Sequence, residues 1–407
     1  MRGMKKDILF LCQFFYPEYN SSAMLPFDTA KYLATHGFTV GALCGYPKEY
    51  NSSGKALLNE NVNNIEIQRV KYIELSRVKK INRLINYFSF TLVILLKIGQ
   101  LKNYRSVIVY SNPPVLPIVP ILAKKFYGTK FVFVAYDVYP EIAYASGVLK
   151  SGDLIDLLMR KINKSLYKNA SYVIALTDEM KEFLIKRRSE LSKDRVITIA
   201  NWAREIRIQP DKSTYKNFGY SEGQFIVSYF GNMGTCQDME TMLGAATVLK
   251  DNNKICFLIA GHGNKKKYVD EQIKNLDLKN VKLLDFLTGD DFEQAISISN
   301  CCIVSLEKGL KGTCAPSKYY SYLQGGRPVL AVVENDSYLA REIEHEQIGY
   351  VIEIGDSKAL AEKVIEMMEN PQECRKMEDR ARRVYENNYS YKISMNKYKY
   401  VFTEILK

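Results

Sequence analysis

Two successive apolar runs in the second half of the chain stop on paired glycines and pass into helical patterning. Phe225-Ile-Val-Ser-Tyr-Phe230 breaks at Gly231-Asn-Met-Gly234, and Ile255-Cys-Phe-Leu-Ile-Ala260 breaks at Gly261-His-Gly263. Short β-branched and aromatic runs read as buried strands, and the helices after them read as crossovers. A chain that repeats strand, turn and helix in this way is confined to parallel α/β sheets, whose strand ends open on one edge. Backbone can approach a ligand closely there only where side chains are missing, so these turns are predicted to ring one pocket.

A third joint, Ala315-Pro-Ser-Lys-Tyr-Tyr-Ser-Tyr-Leu-Gln-Gly-Gly-Arg-Pro-Val-Leu330, is predicted to start a helix beside a lysine and end it on Gly325 and Gly326. The first turn of a helix leaves about four N–H groups unpaired and carries roughly half a positive charge, which suits a diphosphate. Ser317 is expected to cap that turn and Lys318 to add a full charge. An ordinary helix-to-strand joint would use the same residues.

The first half keeps the same rhythm. Strands are expected at Asp7–Phe14, Thr39–Cys44, Ile65–Tyr72, Ser106–Tyr110, Lys130–Ala135, Tyr172–Thr177 and Arg195–Ala200, with helices at Ser22–His36, Val78–Lys102, Val115–Tyr127, Gly152–Lys168 and Asp178–Arg188. Periodicity fades between Trp202 and Gln224. This places an N-terminal domain at residues 1–203, a C-terminal domain at 204–385, and a last helix at 386–407 that crosses back to the first domain.

At 407 residues and 47% hydrophobic content, the chain can bury two cores. A net charge of +12 favours an anionic partner: a nucleotide or lipid diphosphate, an acidic membrane face or a nucleic acid. A nucleic-acid binder would gather its cations in a stripe with regular aromatic spacing; here they are spread through helices. The eight cysteines lack Cys-x-x-Cys spacing and sit mostly in apolar runs, which fits a reducing, cytoplasmic compartment. Three scattered histidines and no Asp-x-Asp leave no metal-ligand cluster, so no metal site is expected.

Leu84 to Leu96 is the most apolar stretch, flanked by Arg77, Lys79, Lys80 and Arg83 before it and Lys97, Lys102 and Arg105 after it. It falls short of the roughly 18 apolar residues that span a bilayer. It suits either a helix lying in a membrane interface or a crossover helix buried in the core.

The three glycine-bearing joints resemble the C-terminal domain of retaining GT-B glycosyltransferases of family GT4. Gln13-Phe-Phe-Tyr-Pro-Glu18, Asn20-Ser-Ser-Ala23, Gly41-Ala-Leu-Cys-Gly-Tyr-Pro47 and Asp137-Val-Tyr-Pro-Glu141 resemble the WbuB-like branch that builds bacterial O-antigen and capsule units. The resemblance implies two Rossmann-like parallel-sheet domains facing across a cleft, the C-terminal one holding a nucleotide sugar and the N-terminal one an acceptor. It further implies transfer of a sugar, an N-acetyl-deoxyhexosamine such as N-acetylfucosamine, to an undecaprenyl-diphosphate-linked glycan at the inner face of the cytoplasmic membrane. No cofactor is expected beyond the donor substrate, and no nucleic acid.

Carried over by position, Gly231, Asn232 and Gly234 approach the diphosphate, and Gly261, His262 and Gly263 border the nucleoside. Ser317, Lys318 and Tyr319 complete the donor site, while Asn20, Ser21 and Ser22 occupy the loop that usually carries glycines near the diphosphate. Lys318 is the expected charge on the leaving group, and Asp137 and Glu141 are expected to orient the acceptor hydroxyl or donor sugar; Asp137 also suits a helix cap. The family's paired glutamates are replaced near Thr313 and Ser321, and its basic pair after the first strand of the second domain by Asn232 and Gln237. The competing expectation is a nucleotide-sugar-modifying or NAD-binding Rossmann enzyme. That class needs Gly-x-Gly-x-x-Gly after an early strand, where this chain has Gln13-Phe-Phe-Tyr-Pro17.

Overall fold

The computed structural model describes residues 5–48, 56–76, 80–145, 147–206 and 209–407; Arg77 and Lys79 lie outside them. The chain divides into two compact units. Met1–Ala200, Gly312–Ala315 and Lys392–Lys407 form the first, and Asn201–Lys311 and Pro316–Tyr391 the second. The chain thus changes units at 200/201 and 391/392, where the sequence pointed to 203/204 and 385/386. It also makes a four-residue excursion at Gly312–Ala315 that no periodicity announces.

The first unit runs β1 (Lys6–Cys12), α1 (Ser21–Thr35), β2 (Val40–Gly45), β3 (Asn59–Val62), β4 (Ile65–Val70), α2 (Lys80–Leu96), β5 (Tyr104–Tyr110), α3 (Ile118–Tyr127), β6 (Lys130–Ala135), α4 (Glu141–Ala145), α5 (Leu154–Asn169), β7 (Tyr172–Ala175), α6 (Asp178–Arg187) and β8 (Val196–Thr198). The strands order as β3-β4-β2-β1-β5-β6-β7-β8, parallel except where β3 meets β4. A parallel sheet must be covered by its crossover helices. Phe90 and Ile94 of α2, Val119 of α3, Leu166 of α5 and Met180 of α6 accordingly share one core with Leu9, Val107 and Phe131 of the sheet.

Two expectations are corrected here. The polar β3 was not foreseen; Asn63 and Asn64, both at positive φ, make the tight hairpin to β4. The helix expected at Val78–Lys102 ends at Leu96 and gives way to the tighter 3₁₀ helix Ile98–Asn103.

The second unit contains α7 (Lys212–Asn217), β9 (Phe225–Asn232), α8 (Glu240–Val248), β10 (Ile255–His262), α9 (Lys266–Asn275), β11 (Val281–Leu284), α10 (Gly289–Ser297), β12 (Cys301–Ser305), α11 (Lys318–Gln324), β13 (Val329–Val332), α12 (Tyr338–Glu346), β14 (Gly349–Ile352), α13 (Ser357–Glu369) and α14 (Pro371–Val384). A π turn at Tyr385–Tyr389 leads to α15 (Tyr391–Leu406), nearly all of which belongs to the first unit. The six strands are all parallel, in the order β11-β10-β9-β12-β13-β14.

That order reverses direction between β9 and β12, the switch point at which open α/β sheets accept ligands. The two strands pair only at Val227↔Cys301 and Ser228↔Cys302. Beyond Ser228 they are no longer paired, so their C-terminal ends leave a gap in the sheet edge.

Candidate active site

The end of β9 is occupied on this side by α11. Tyr322 lies one turn after Lys318, on the same helix face, and its hydroxyl accepts the Phe230 N–H at 2.9 Å. That backbone group lies past the last β12 pairing and is buried, so the phenol meets a donor the sheet leaves open. The contact fixes Lys318 over β9. Its Nζ sits 3.6 Å from the centre of the Tyr229 ring and is buried with no hydrogen-bond partner. Burial pushes the Lys318 ammonium well below the ordinary lysine value. Ser305, at the end of β12, keeps its hydroxyl buried beside the Tyr229 phenol. A buried, unpartnered amine in a sheet gap is unusual unless a ligand completes it.

Gly231 turns through φ +117°, a conformation that favours glycine, and Lys318 Cε is the nearest atom to the side it leaves bare, 3.7 Å from where a Cβ would stand. Gly261 has a different reason to be glycine. It is in register with Gly231, and a Cβ there would collide with the Gly231 carbonyl. The structure therefore brings Gly231 and Lys318 together, while packing between neighbouring strand ends accounts for Gly261.

Several expected residues are placed otherwise than their patterns implied. Ser317 makes no cap bond; its backbone angles are helical, whereas a capping residue is typically extended. At seven residues, α11 offers only a short dipole, so the positive charge near the gap rests on Lys318. Tyr319 is buried and donates to Glu342 at 2.7 Å, which takes it out of a donor-contacting role. Asn232 and His262 are exposed at the paired strand ends, the His262 ring edge-on to Phe286. The Gly234 N–H donates to Gln237 at 2.9 Å and closes that turn.

The missing basic pair has a neighbour that sequence order concealed. Lys265 donates to the Gln237 carbonyl at 2.8 Å and to Glu307 at 2.6 Å, with Glu240 at 3.2 Å. Its burial lowers the affinity for a proton, but Glu307 and Glu240 more than offset that and hold the ammonium above the ordinary value. Lys265, Tyr229 and Ser305 were all missed. A lysine in the run Lys265-Lys-Lys267 carries no local mark, and a strand tyrosine reads as core.

In the first unit, Asp137 follows β6 at the strand's C-terminal end. Its N–H donates to Ser111 at 3.0 Å, its backbone bridges Cys314, and the Val138 N–H reaches Thr313 at 2.7 Å. Burial lifts the Asp137 carboxyl to about 6, with the Arg83 charge opposing. It stands four residues ahead of α4 and does not cap it. Glu141 is corrected: both its oxygens receive Arg188, at 2.8 and 2.6 Å, so its charge is committed to a largely buried ion pair. Asn20 caps α1 by accepting the Ala23 N–H at 3.0 Å, and its own amide nitrogen is buried without a partner. Ser21 and Ser22 form the first turn of that helix.

Two α/β units built on largely parallel sheets are the architecture of the GT-B fold, which solved glycosyltransferases share. The solved structure of Anabaena HepE in complex with UDP and glucose superposes with a TM-score of 0.73 at 16% identity, over 98% of this chain and all of that one. WaaG, a glycosyltransferase involved in lipopolysaccharide biosynthesis, superposes at 0.72 with 12% identity, covering 97% of this chain and 99% of its own. Residues 212–384 match the family model for glycosyl transferases group 1. The "Probable glycosyltransferase WbjE" of Pseudomonas aeruginosa is 28% identical over 291 residues, 71% of this chain and 72% of that protein. The chain is a glycosyltransferase, which displaces the alternative of an NAD-binding or sugar-modifying Rossmann enzyme.

Proposed function

We propose that the chain moves a sugar, with retention at its anomeric carbon, from a nucleoside diphosphate to a glycan carried on undecaprenyl diphosphate, in O-antigen or capsule assembly at the inner face of the cytoplasmic membrane. The observation that carries the reading is the buried, unpartnered Lys318 amine facing the bare side of Gly231. A diphosphate seated there gives that nitrogen the anionic partner it lacks, and Ser305 Oγ a further acceptor. Gly234, Gly261, His262, Gly263, Asn232 and Ser317 border the same strand edge. The likeness to HepE, bound to UDP, supports uridine diphosphate as the carrier, and the likeness to WaaG, a glycosyltransferase involved in lipopolysaccharide biosynthesis, supports a role in bacterial surface glycans. An N-acetylfucosamine-type sugar follows from the WbuB-like motifs of the first unit.

In such a transfer the bond from the anomeric carbon to the diphosphate breaks as the acceptor oxygen attacks the same face. The departing phosphate oxygen takes the acceptor's proton. Lys318 then stabilises negative charge where it grows. Asp137, with its carboxyl lifted toward neutral pH, is the carboxylate left to orient the acceptor hydroxyl once Glu141 is committed to Arg188.

Thermal denaturation with uridine diphosphate, guanosine diphosphate and NAD, each with and without magnesium, tests the donor class. Uridine diphosphate at a hundredfold excess over its dissociation constant should stabilise the fold by about 2.7 kcal/mol. A protein indifferent to every nucleoside diphosphate does not use this site as described.

A further inference from the structure

Helix α2 buries one face in the core and leaves another, apolar face exposed. Phe90 and Ile94 enter the core of the first unit, but Ile81, Ile85, Phe88, Leu92 and Leu96 are exposed, Leu92 at 59% and Leu96 at 81%. At about 100° per residue these five positions fall within a stripe roughly 80° wide, so they form one apolar ridge along the whole helix. Singly exposed hydrophobic side chains need no explanation; a continuous ridge does. The start of α5 extends it with Leu154, Leu157 and Leu158, exposed at 85%, 55% and 40%. The two helices belong to one layer: Tyr87 of α2 and Ile162 of α5 share a small core with Val115, just ahead of α3.

We infer that this face docks on an anionic lipid bilayer. The charge pattern selects that occupant. Residues 80–104 contain no acidic residue, and among the described side chains there Arg83, Lys97 and Lys102 are cationic. The exposed side of α5 continues from its leucines into Lys161, Lys164 and Lys168. A second copy of the chain, meeting this face by two-fold symmetry, would set those cations against themselves. Anionic head groups neutralise them while the ridge enters the acyl boundary. No helix among the described residues is long and apolar enough to cross a membrane, so the contact is interfacial.

The ridge also begins in a useful place. Arg83, in the first turn of α2, lies close enough to Asp137 for its charge to act on that carboxyl. The leading end of the docking face and the strand end that holds Asp137 are thus neighbours within one unit. An acceptor whose lipid tail stays in the bilayer would present its sugar beside Asp137; in that respect the inference rests on the lipid-linked acceptor proposed above.

Flotation of the full-length protein with vesicles tests it. Binding is expected to vesicles containing phosphatidylglycerol and not to pure phosphatidylcholine, and to weaken as salt rises. The double variant Leu92→Glu and Leu96→Glu changes only exposed positions, so its thermal midpoint should stay at the wild-type value. Its vesicle affinity should fall by about tenfold or more. Transfer to a water-soluble acceptor analogue should be unchanged, while transfer to the same sugar on a vesicle-embedded lipid falls. Wild-type protein that ignores phosphatidylglycerol vesicles, or a variant that floats as well as wild type, overturns the inference. So does a concentration-dependent dimer abolished by the same substitutions, which would give the ridge to a second copy. Failure of transfer to every soluble acceptor, with vesicle binding intact, would instead count against the proposed reaction alone.

Discussion

Lys265 and Lys318 both bring an ammonium group to the turn region after β9, and the protein treats them in opposite ways. Lys265 is held by Glu307, Glu240 and a carbonyl, so its charge is kept and already spent. Lys318 is buried over an aromatic ring with no anion beside it, so its charge is costly until a ligand supplies one. A structural ion pair and a poised binding group differ less in residue type than in whether the partner is built into the chain.

The largest test of that contrast is removal of each amine. Lys318→Ala should lower kcat by a factor of ~100 or more, because the interaction it removes strengthens as charge moves onto the leaving phosphate. Lys265→Ala should cost less than about tenfold in kcat, and should show mainly as lost stability. Equal effects in steady-state kinetics would erase the distinction.

Proton uptake sharpens it next. An anion seated beside Lys318 restores the proton affinity that burial took away, so nucleotide binding should draw in up to one proton. Affinity should therefore rise as pH falls, by as much as about tenfold per pH unit between the unliganded and liganded values of this lysine, and level off below the unliganded one. Calorimetric titration in buffers of different ionisation enthalpy measures the uptake, above the pH where the nucleotide's own phosphate titrates. Lys318→Met should bind without it, and wild type showing none would mean that the amine is already charged in the empty site.

Much of this was legible beforehand. Apolar runs such as Phe225–Phe230 and Lys130–Ala135, and glycines at their ends, follow from local chemistry, and both appear as parallel strands of the sheets. What stayed hidden depends on partners far away in the chain. Glu141 reads as an available carboxylate until Arg188, 47 residues on, is found across from it. Tyr319 reads as a site residue until Glu342 takes its hydroxyl. Gly261 reads as a ligand-facing glycine, although the neighbouring Gly231 carbonyl is what forbids a side chain there. The polar edge strand β3 was missed for another reason, since it buries too little to leave an apolar pattern.

The smallest effect concerns the built-in partner itself. Glu307→Gln leaves Lys265 its contacts with Glu240 and the Gln237 carbonyl, and the pair is partly open to solvent, so the loss should be about 1 kcal/mol. The sign with pH is fixed by the direction of the shift. Because Lys265 is held above the ordinary lysine value of 10.5, its stabilisation is fully present below that pH and is lost as pH rises through the folded value. The wild-type advantage in chemical denaturation should accordingly be flat from neutral pH to about 10 and then shrink. An advantage that instead grew with pH would show that Glu307 does not hold the Lys265 proton, and the two lysines would no longer stand as opposites.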